Sequence, residues 1–137
     1  MAVDVKYKLI RGYMVTDAAE HDSNVFEDLL DGKNTSRDIW ADSAYLSRER
    51  VKRLKEDGYR EHIQRKGCRN CKLTEREKRG NRSRAKIRSR IEHVFGVQAQ
   101  KAGNLILRTV GIMRVWAKIG LRNLAYNLDR FGTLVAA

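Results

Sequence analysis

Two carboxylates in the sequence occupy positions that suggest chemistry. Asp42 lies in "IWADSAYLS", directly after a short apolar stretch, and Glu92 lies in "RIEHVFG" as the only acid within residues 79–128. A carboxylate at the carboxyl end of a buried strand faces the crevice in which open α/β sheets bind ligands. The ordinary alternatives are a helix cap for Asp42 and an ion pair on a helix surface between Glu92 and Arg88.

The positive charge of the chain is concentrated around Glu92. The chain has 137 residues and a formal charge of +12, and residues 65–90 alone hold 12 basic and two acidic residues. Such a block attracts polyanions, among which nucleic acid is the commonest in the cytosol. The alternative is that these basic residues only form a solvent-exposed helix face, and we favour nucleic-acid binding. The residues predicted to contact the DNA backbone are Arg82, Arg84, Lys86, Arg88 and Arg90.

The two carboxylates beside this basic block suggest a metal site. Mg²⁺ prefers oxygen ligands and binds through one or two carboxylates together with substrate phosphates. Asp42 and Glu92 are therefore predicted to hold Mg²⁺, or Mn²⁺ in its place, against a phosphodiester.

A CxxC formed by Cys68 and Cys71 offers a second possible site. A structural zinc site needs four ligands, and no second CxxC is present, although His62 and His93 could in principle contribute. Two reduced thiols in a basic loop are the simpler interpretation, and no disulfide is expected in a cytosolic chain.

The elements that must position these residues follow from hydrophobic periodicity. Alternation predicts an antiparallel pair of strands at 3–9 and 12–16, and a helix over 24–30 capped by Asp22 or Ser23. Ser47 caps a further helix that ends at Gly58. The remaining predictions are strands at 37–42 and 59–64, an amphipathic helix at 84–100, and a helix at 111–131 that is apolar on most sides and so expected to be buried.

This order predicts one α/β domain over residues 1–137, with a mixed sheet flanked by helices. No apolar run approaches the ~18 residues needed to span a bilayer, and the amino terminus has no secretory pattern. We expect a soluble cytoplasmic protein that does not associate with membranes.

Three segments together resemble the catalytic domain of insertion-sequence DDE transposases, in the insertion-sequence-five-like group. They are "MVTDAAEHDSNVFEDLLDG", "IWADSAYLS" and "RSRIEHVFGVQAQKAGNLILRTVGIMRVWAKIGLRNLAYNLDR". The resemblance implies an RNase-H-like fold and an enzyme that cleaves and joins the DNA of transposon ends and target in a metal-dependent reaction. It matches Asp42 to the second catalytic Asp, Glu92 to the catalytic Glu, and Arg88 to an Arg that contacts DNA near the cleaved end.

The chain departs from the family pattern at three places. No residue of this chain matches the first catalytic Asp, which the family carries on a first strand upstream of the predicted strand pair. Ala85 and Ala99 stand where the family often has Tyr and Lys. We therefore expect a carboxy-terminal part of the catalytic domain that lacks its first strand, self-associates through an exposed sheet edge, and is inactive alone. The alternative is a non-catalytic basic nucleic-acid-binding protein.

Overall fold

The computed structural model describes residues 1–17, 24–101, 103 and 106–136. The chain divides into a central unit, residues 32–89, and a terminal unit, residues 1–31 with 90–137. The strands are β1 (Ala2–Val3), β2 (Ile10–Gly12), β3 (Asp38–Ala41) and β4 (Arg60–Ile63), and the helices are α1 (Arg48–Glu56), α2 (Glu75–Lys101) and α3 (Ile112–Val135). The division between the units falls within α2.

The central unit is built on a parallel strand pair. β3 and β4 pair in register from Asp38 with Arg60 to Ala41 with Ile63, and α1 lies between them in sequence and packs against β4. Leu54 of α1 and Ile63 of β4 are fully buried. The apolar alternation of these strands therefore buries one face of the pair beneath the helix.

The ends of α1 are those expected from the sequence. The Ser47 hydroxyl accepts a hydrogen bond from the Arg50 amide at 3.0 Å, which satisfies one of the free N–H groups of the first turn. Gly58 follows the helix with φ of +77°, a conformation that favours glycine.

The terminal unit contains an antiparallel pair much shorter than predicted. β1 and β2 are paired, but Asp4 turns the chain between them by accepting from the Lys8 amide through its carbonyl and from the Tyr7 amide through its side chain. Lys8 adopts φ of +59°. The prediction of a continuous strand over 3–9 was therefore wrong, because the local bonds of Asp4 compete with strand pairing.

The core of the terminal unit joins this pair to α2 and α3. Ile10, Val94 and Tyr126 are its buried members. The Asn127 side chain accepts from the Ile10 amide at 2.8 Å and donates to the Ile10 carbonyl at 2.9 Å. The Asn127 side chain thus satisfies the backbone N–H and carbonyl of Ile10 in the way that an adjacent strand would.

Two predicted helices differ in extent from the structure. The helix expected over 24–30 is a 3₁₀ turn at Glu27–Leu29, and its predicted caps, Asp22 and Ser23, lie outside the described residues. α2 begins at Glu75 rather than at residue 84. Thr74 and Glu77 form a capping box there, with the Thr74 amide donating to Glu77 Oε2 at 2.9 Å and the Glu77 amide to Thr74 Oγ1 at 3.3 Å.

The predicted mixture of strands and helices is confirmed, but the described strands form two separate pairs rather than one mixed sheet. α3 is helical as predicted, whereas its expected burial was wrong because its outer side is exposed. Across the described ranges, every helix is too short or too polar to cross a membrane.

Candidate functional site

The candidate site lies at the carboxyl ends of β3 and β4. Asp42 directly follows β3 and Gln64 directly follows β4, and the Gln64 amide donates to the Ala41 carbonyl at 3.1 Å. Because the two strands are parallel, both residues leave the pair at the same edge. Asp42 therefore follows a strand, as predicted. Ligands of open α/β sheets bind at such carboxyl ends, and a ligand-binding role for Asp42 stays a prediction.

Arg88 of α2 joins these two residues. Its Nη1 donates to Gln64 Oε1 at 2.7 Å, and its Nη2 donates to Asp42 Oδ2 at 3.1 Å. The other carboxylate oxygen of Asp42 accepts from the Ser43 amide at 2.5 Å, which caps the 3₁₀ turn Ser43–Tyr45. Asp42 is thus the cap of a helical turn, which is one of the roles that the sequence suggests, and it is also the ion-pair partner of Arg88.

A second set of bonds holds α2 beside the end of β4. The Asn81 side chain accepts from the Arg65 amide and donates to the Arg65 carbonyl, both at 2.9 Å. The Arg65 guanidinium in turn donates to Glu61 Oε1 at 2.6 Å, and this carboxylate is largely buried. These bonds fix the helix two turns before Arg88, so they position its guanidinium toward the strand ends.

The basic run of α2 is divided between two sides of the helix. Arg84 and Arg88 lie one turn apart on the side that meets the protein, where Arg84 donates to Asn81 at 3.3 Å. Arg82 and Lys86 lie one turn apart on another side and are exposed, and neither forms an ion pair or side-chain hydrogen bond within the described ranges. The period of 3.6 residues explains the division, because alternate residues of a helix point in different directions.

The last two predicted site residues, Arg90 and Glu92, belong to the terminal unit. Arg90 is exposed and donates to the Val5 carbonyl at 2.8 Å. Glu92 is exposed, and within the described residues of the terminal unit it pairs with no basic residue. Arg88 and Asp42 belong to the central unit. The ion pair of Glu92 with Arg88 and the approach of Glu92 to Asp42 therefore both stay predictions.

Comparison with known proteins identifies the family. Residues 1–128 match the family model described as "Transposase DDE domain". The chain belongs to this family. It is also 32% identical, over 123 residues, to "Transposase for insertion sequence element IS1106" from Neisseria meningitidis serogroup B, and that match covers 90% of this chain and 43% of the relative. The chain thus spans less than half the length of that relative. No solved structure matches it.

Transposases of the DDE domain family generally use divalent metal ions, and the donors of this chain meet that requirement in part. The Asp42 carboxylate offers the oxygen chemistry that Mg²⁺ prefers, and each of its oxygens keeps a lone pair beyond its present bond. Among the residues that the structure describes, however, no three His, Cys, Asp or Glu side chains converge into a metal-binding group. The donor type fits the metal, whereas a complete ligand set is not assembled.

The two cysteines and His62, which could in principle bind zinc, do not form a metal-binding group among the described residues. Cys68 and Cys71 are free and exposed, and their backbones pair with each other through the Cys68 amide at 2.9 Å and the Cys71 amide at 3.2 Å. His62 stacks on Trp40 with ring centroids 4.0 Å apart and lies 2.9 Å from Asp38 Oδ1. These contacts give His62 and the backbone of the cysteine loop structural roles in the central unit.

Asp38 is the most strongly perturbed acid of the central unit. The Arg60 guanidinium donates to both of its oxygens, at 2.9 and 2.8 Å, and His62 approaches one of them. These bonds, Arg60 first, lower the pKa of Asp38 well below its ordinary value. The sequence pattern alone does not reveal this cluster, although the alternation of residues 38, 40, 60 and 62 on paired strands places all four on one face.

Proposed function

We propose that this chain is the carboxy-terminal part of the catalytic domain of an insertion-sequence DDE transposase, acting in metal-dependent cleavage and strand transfer of transposon and target DNA. The observation that carries the proposal is the family match over residues 1–128. The geometry supports it, because Asp42 follows a strand of a parallel pair at the edge where such a fold binds its ligands. The implied location is the cytoplasm, where the DNA is.

Contact with DNA would be made chiefly through the exposed basic side of α2. Arg82 and Lys86 carry no internal ion pair in the described part of the chain, so both charges are available to phosphates. Arg88 would contact DNA beside the strand ends, as the resemblance assigns. Arg84 and Arg90 would contribute mainly through the general positive field, since each already donates to a protein oxygen.

Asp42 and Glu92 are the carboxylates that would hold Mg²⁺ or Mn²⁺. The bound ion would supply Lewis-acid chemistry, polarising a phosphate oxygen and favouring an attacking hydroxyl at neutral pH. Asp42 is held in place for that role by the Ser43 amide and by Arg88. The assignment of Glu92 rests on the resemblance and on its position one helical turn beyond Arg88 on α2.

The proposal extends to the architecture. The whole chain would form one RNase-H-like catalytic domain whose first strand, with the first catalytic Asp, is not matched by any residue here. The two small strand pairs observed are compatible with a larger sheet of that kind. The chain by itself would bind DNA and remain inactive.

Paramagnetic NMR tests the metal assignment without relying on activity. Titration of the isotopically labelled chain with Mn²⁺ should selectively broaden the amide signals around Asp42 and Glu92. Asp42→Asn and Glu92→Gln should each remove the broadening at both positions, because the two carboxylates would share an ion.

Asp57→Asn provides the matched control, since Asp57 is an exposed acid at the end of α1. The metal site would be contradicted if no signals broadened, or if signals near all exposed acidic residues broadened equally. That result would favour the alternative of a non-catalytic basic nucleic-acid-binding protein.

A further inference from the structure

Gln64 holds the guanidinium of Arg88 with a neutral oxygen. Gln64 directly follows β4, and its backbone amide is fixed to the Ala41 carbonyl at 3.1 Å. Its Oε1 accepts from Arg88 Nη1 at 2.7 Å, a shorter bond than the one of 3.1 Å that Arg88 makes to Asp42. Because a guanidinium has no acceptor, the side-chain amide of Gln64 must turn its oxygen toward Arg88. The orientation of this side chain is therefore fixed by its partner.

The two partners of Arg88 differ in how they compete with a phosphate. Asp42 is an anion, as a phosphate is, and it accepts from Nη2. Gln64 is neutral and accepts from Nη1. The Arg88 side chain is 25% exposed, so it is open in part to a ligand from solvent. A phosphate can replace Asp42 on Nη2 while Gln64 keeps the guanidinium at the strand ends through Nη1.

A neutral acceptor is the side chain best suited to this task. A carboxylate at position 64 would place a second negative charge beside Arg88 and weaken the attraction of the guanidinium to a phosphate. A side chain without an acceptor would leave the guanidinium more rotamers, and their loss on binding would reduce affinity. The amide of Gln64 orients the charge of Arg88 without neutralising it.

We propose that Gln64 is a positioning residue for DNA binding, which holds Arg88 at the strand ends in the orientation that meets a phosphate. This inference rests on the proposed contact between Arg88 and DNA, and it adds an uncharged residue outside the basic run. The oxygen of Gln64 is committed to Arg88, so it cannot make the bidentate contact by which Gln reads adenine. The effect of Gln64 is therefore independent of DNA sequence.

A double-mutant cycle tests the proposal, with DNA affinity measured by the fluorescence anisotropy of a labelled duplex. Arg88→Gln should lower the affinity about tenfold, because a charged bond to phosphate is lost. Gln64→Met, which has a similar length and no acceptor comparable to the amide oxygen, should lower it about threefold or more. In the Arg88→Gln background, Gln64→Met should cause no further loss, because its effect passes through Arg88.

Gln64→Glu separates positioning from a purely structural role. The Glu side chain keeps an oxygen for Arg88, so the free energy of unfolding in urea should stay close to that of the unaltered chain. The DNA affinity should nevertheless fall at least as far as in Gln64→Met, because the added carboxylate neutralises the guanidinium. A purely structural role would make DNA affinity follow stability in all of these variants, and that result would overturn the proposal.

Thr35→Val and Arg53→Gln are the matched controls for the neutral and the charged substitution. Thr35 is exposed ahead of β3, and Arg53 is exposed in the last turn of α1. Both controls should bind DNA within about twofold of the unaltered chain.

Two results of the cycle would overturn the role of Gln64 alone. The first is an unchanged affinity in Gln64→Met beside a loss in Arg88→Gln, and the second is a pair of losses that multiply in the double variant. An Arg88→Gln variant that binds DNA like the Arg53→Gln control would instead contradict the proposed contact of Arg88 with DNA, and the role of Gln64 would fall with it.

Discussion

At the scale of single residues, the guanidinium of Arg88 can serve either Asp42 or a DNA phosphate. Both are anionic oxygen acceptors, and the N–H group that bonds Asp42 at 3.1 Å is the one that a phosphate would need. Gln64 keeps the guanidinium at the strand ends through a separate N–H group. We therefore expect DNA at this edge to draw Arg88 away from Asp42 and leave that carboxylate free for a cation.

The outward basic residues of α2 provide a direct test of DNA contact. Arg82→Ala combined with Lys86→Ala should make DNA affinity less dependent on salt. The slope of log affinity against log salt concentration should become shallower by about one unit for each phosphate that the variant no longer neutralises. Fluorescence anisotropy with a labelled duplex at several salt concentrations measures the slope. Arg84→Ala should have a smaller effect because Arg84 donates to Asn81.

The control for this experiment removes the same charge from another helix. Lys52→Ala combined with Lys55→Ala takes two exposed positive charges from α1. It should weaken binding slightly through the overall field and leave the slope nearly unchanged. Equal slopes in the α1 and α2 variants would place the DNA-binding surface elsewhere on the protein.

The residue types of the candidate site could be predicted, whereas their partners could not. Asp42 was recognisable because a carboxylate follows an apolar strand, and Arg88 because it belongs to a basic run. The bond between Arg88 and Gln64 joins residues 24 positions apart. Nothing in a local pattern distinguishes the protein-facing Arg88 from the solvent-facing Arg82 until the helix is placed against β4.

At the scale of elements, periodicity predicted best where tertiary contacts agree with it. The strands at 38–41 and 60–63 and the helix after Ser47 follow their apolar patterns closely. The strand over 3–9 is interrupted by the turn at Asp4, and α2 is extended by its capping box at Thr74. Both errors came from side-chain bonds to the backbone, which hydrophobic periodicity does not register.

The bonds of Asp38 predict how the parallel pair responds to acid. Because the folded-state pKa of Asp38 is lowered, its stabilisation is complete above the ordinary value of ~3.9 and is lost as pH falls through the folded-state pKa. Asp38→Asn should lower the free energy of unfolding at pH 7 by about 1 kcal/mol, a modest figure because solvent screens the exposed Arg60.

Urea unfolding at a series of pH values measures this difference. The difference in unfolding free energy between the unaltered chain and Asp38→Asn should be present at pH 5 and should narrow below about pH 4. Asp57→Asn, which changes an exposed acid of the same unit, should show no such narrowing. A gap for Asp38→Asn that is independent of pH would mean that its ionised form does not stabilise the fold.

At the scale of the whole molecule, the arrangement of strands was the least predictable feature. A mixed sheet was expected from the order of elements, and the described strands form two short pairs. Sheet assembly depends on contacts between segments distant in sequence, and local patterns carry little information on them. The exposure of one apolar side of α3, which includes Leu121, Leu128 and Val135, could not be predicted for the same reason, since a helix that is apolar on most sides is ordinarily assumed to be buried.

The isolated chain is expected to bind DNA without cutting it. Catalysis by a pair of metal ions requires several carboxylates that hold both at a fixed separation, and the resemblance assigns one of these to a residue that this sequence does not match. Asp42 is meanwhile engaged by Arg88 and by the Ser43 amide. Supercoiled plasmid incubated with the pure chain and Mg²⁺ or Mn²⁺ should remain unnicked. The amount of nicked plasmid should equal the background measured with a Glu92→Gln preparation. Nicking that disappears in Asp42→Asn would show that the chain assembles a complete site, with another of its acids, such as Asp4 or Asp22, as the third carboxylate.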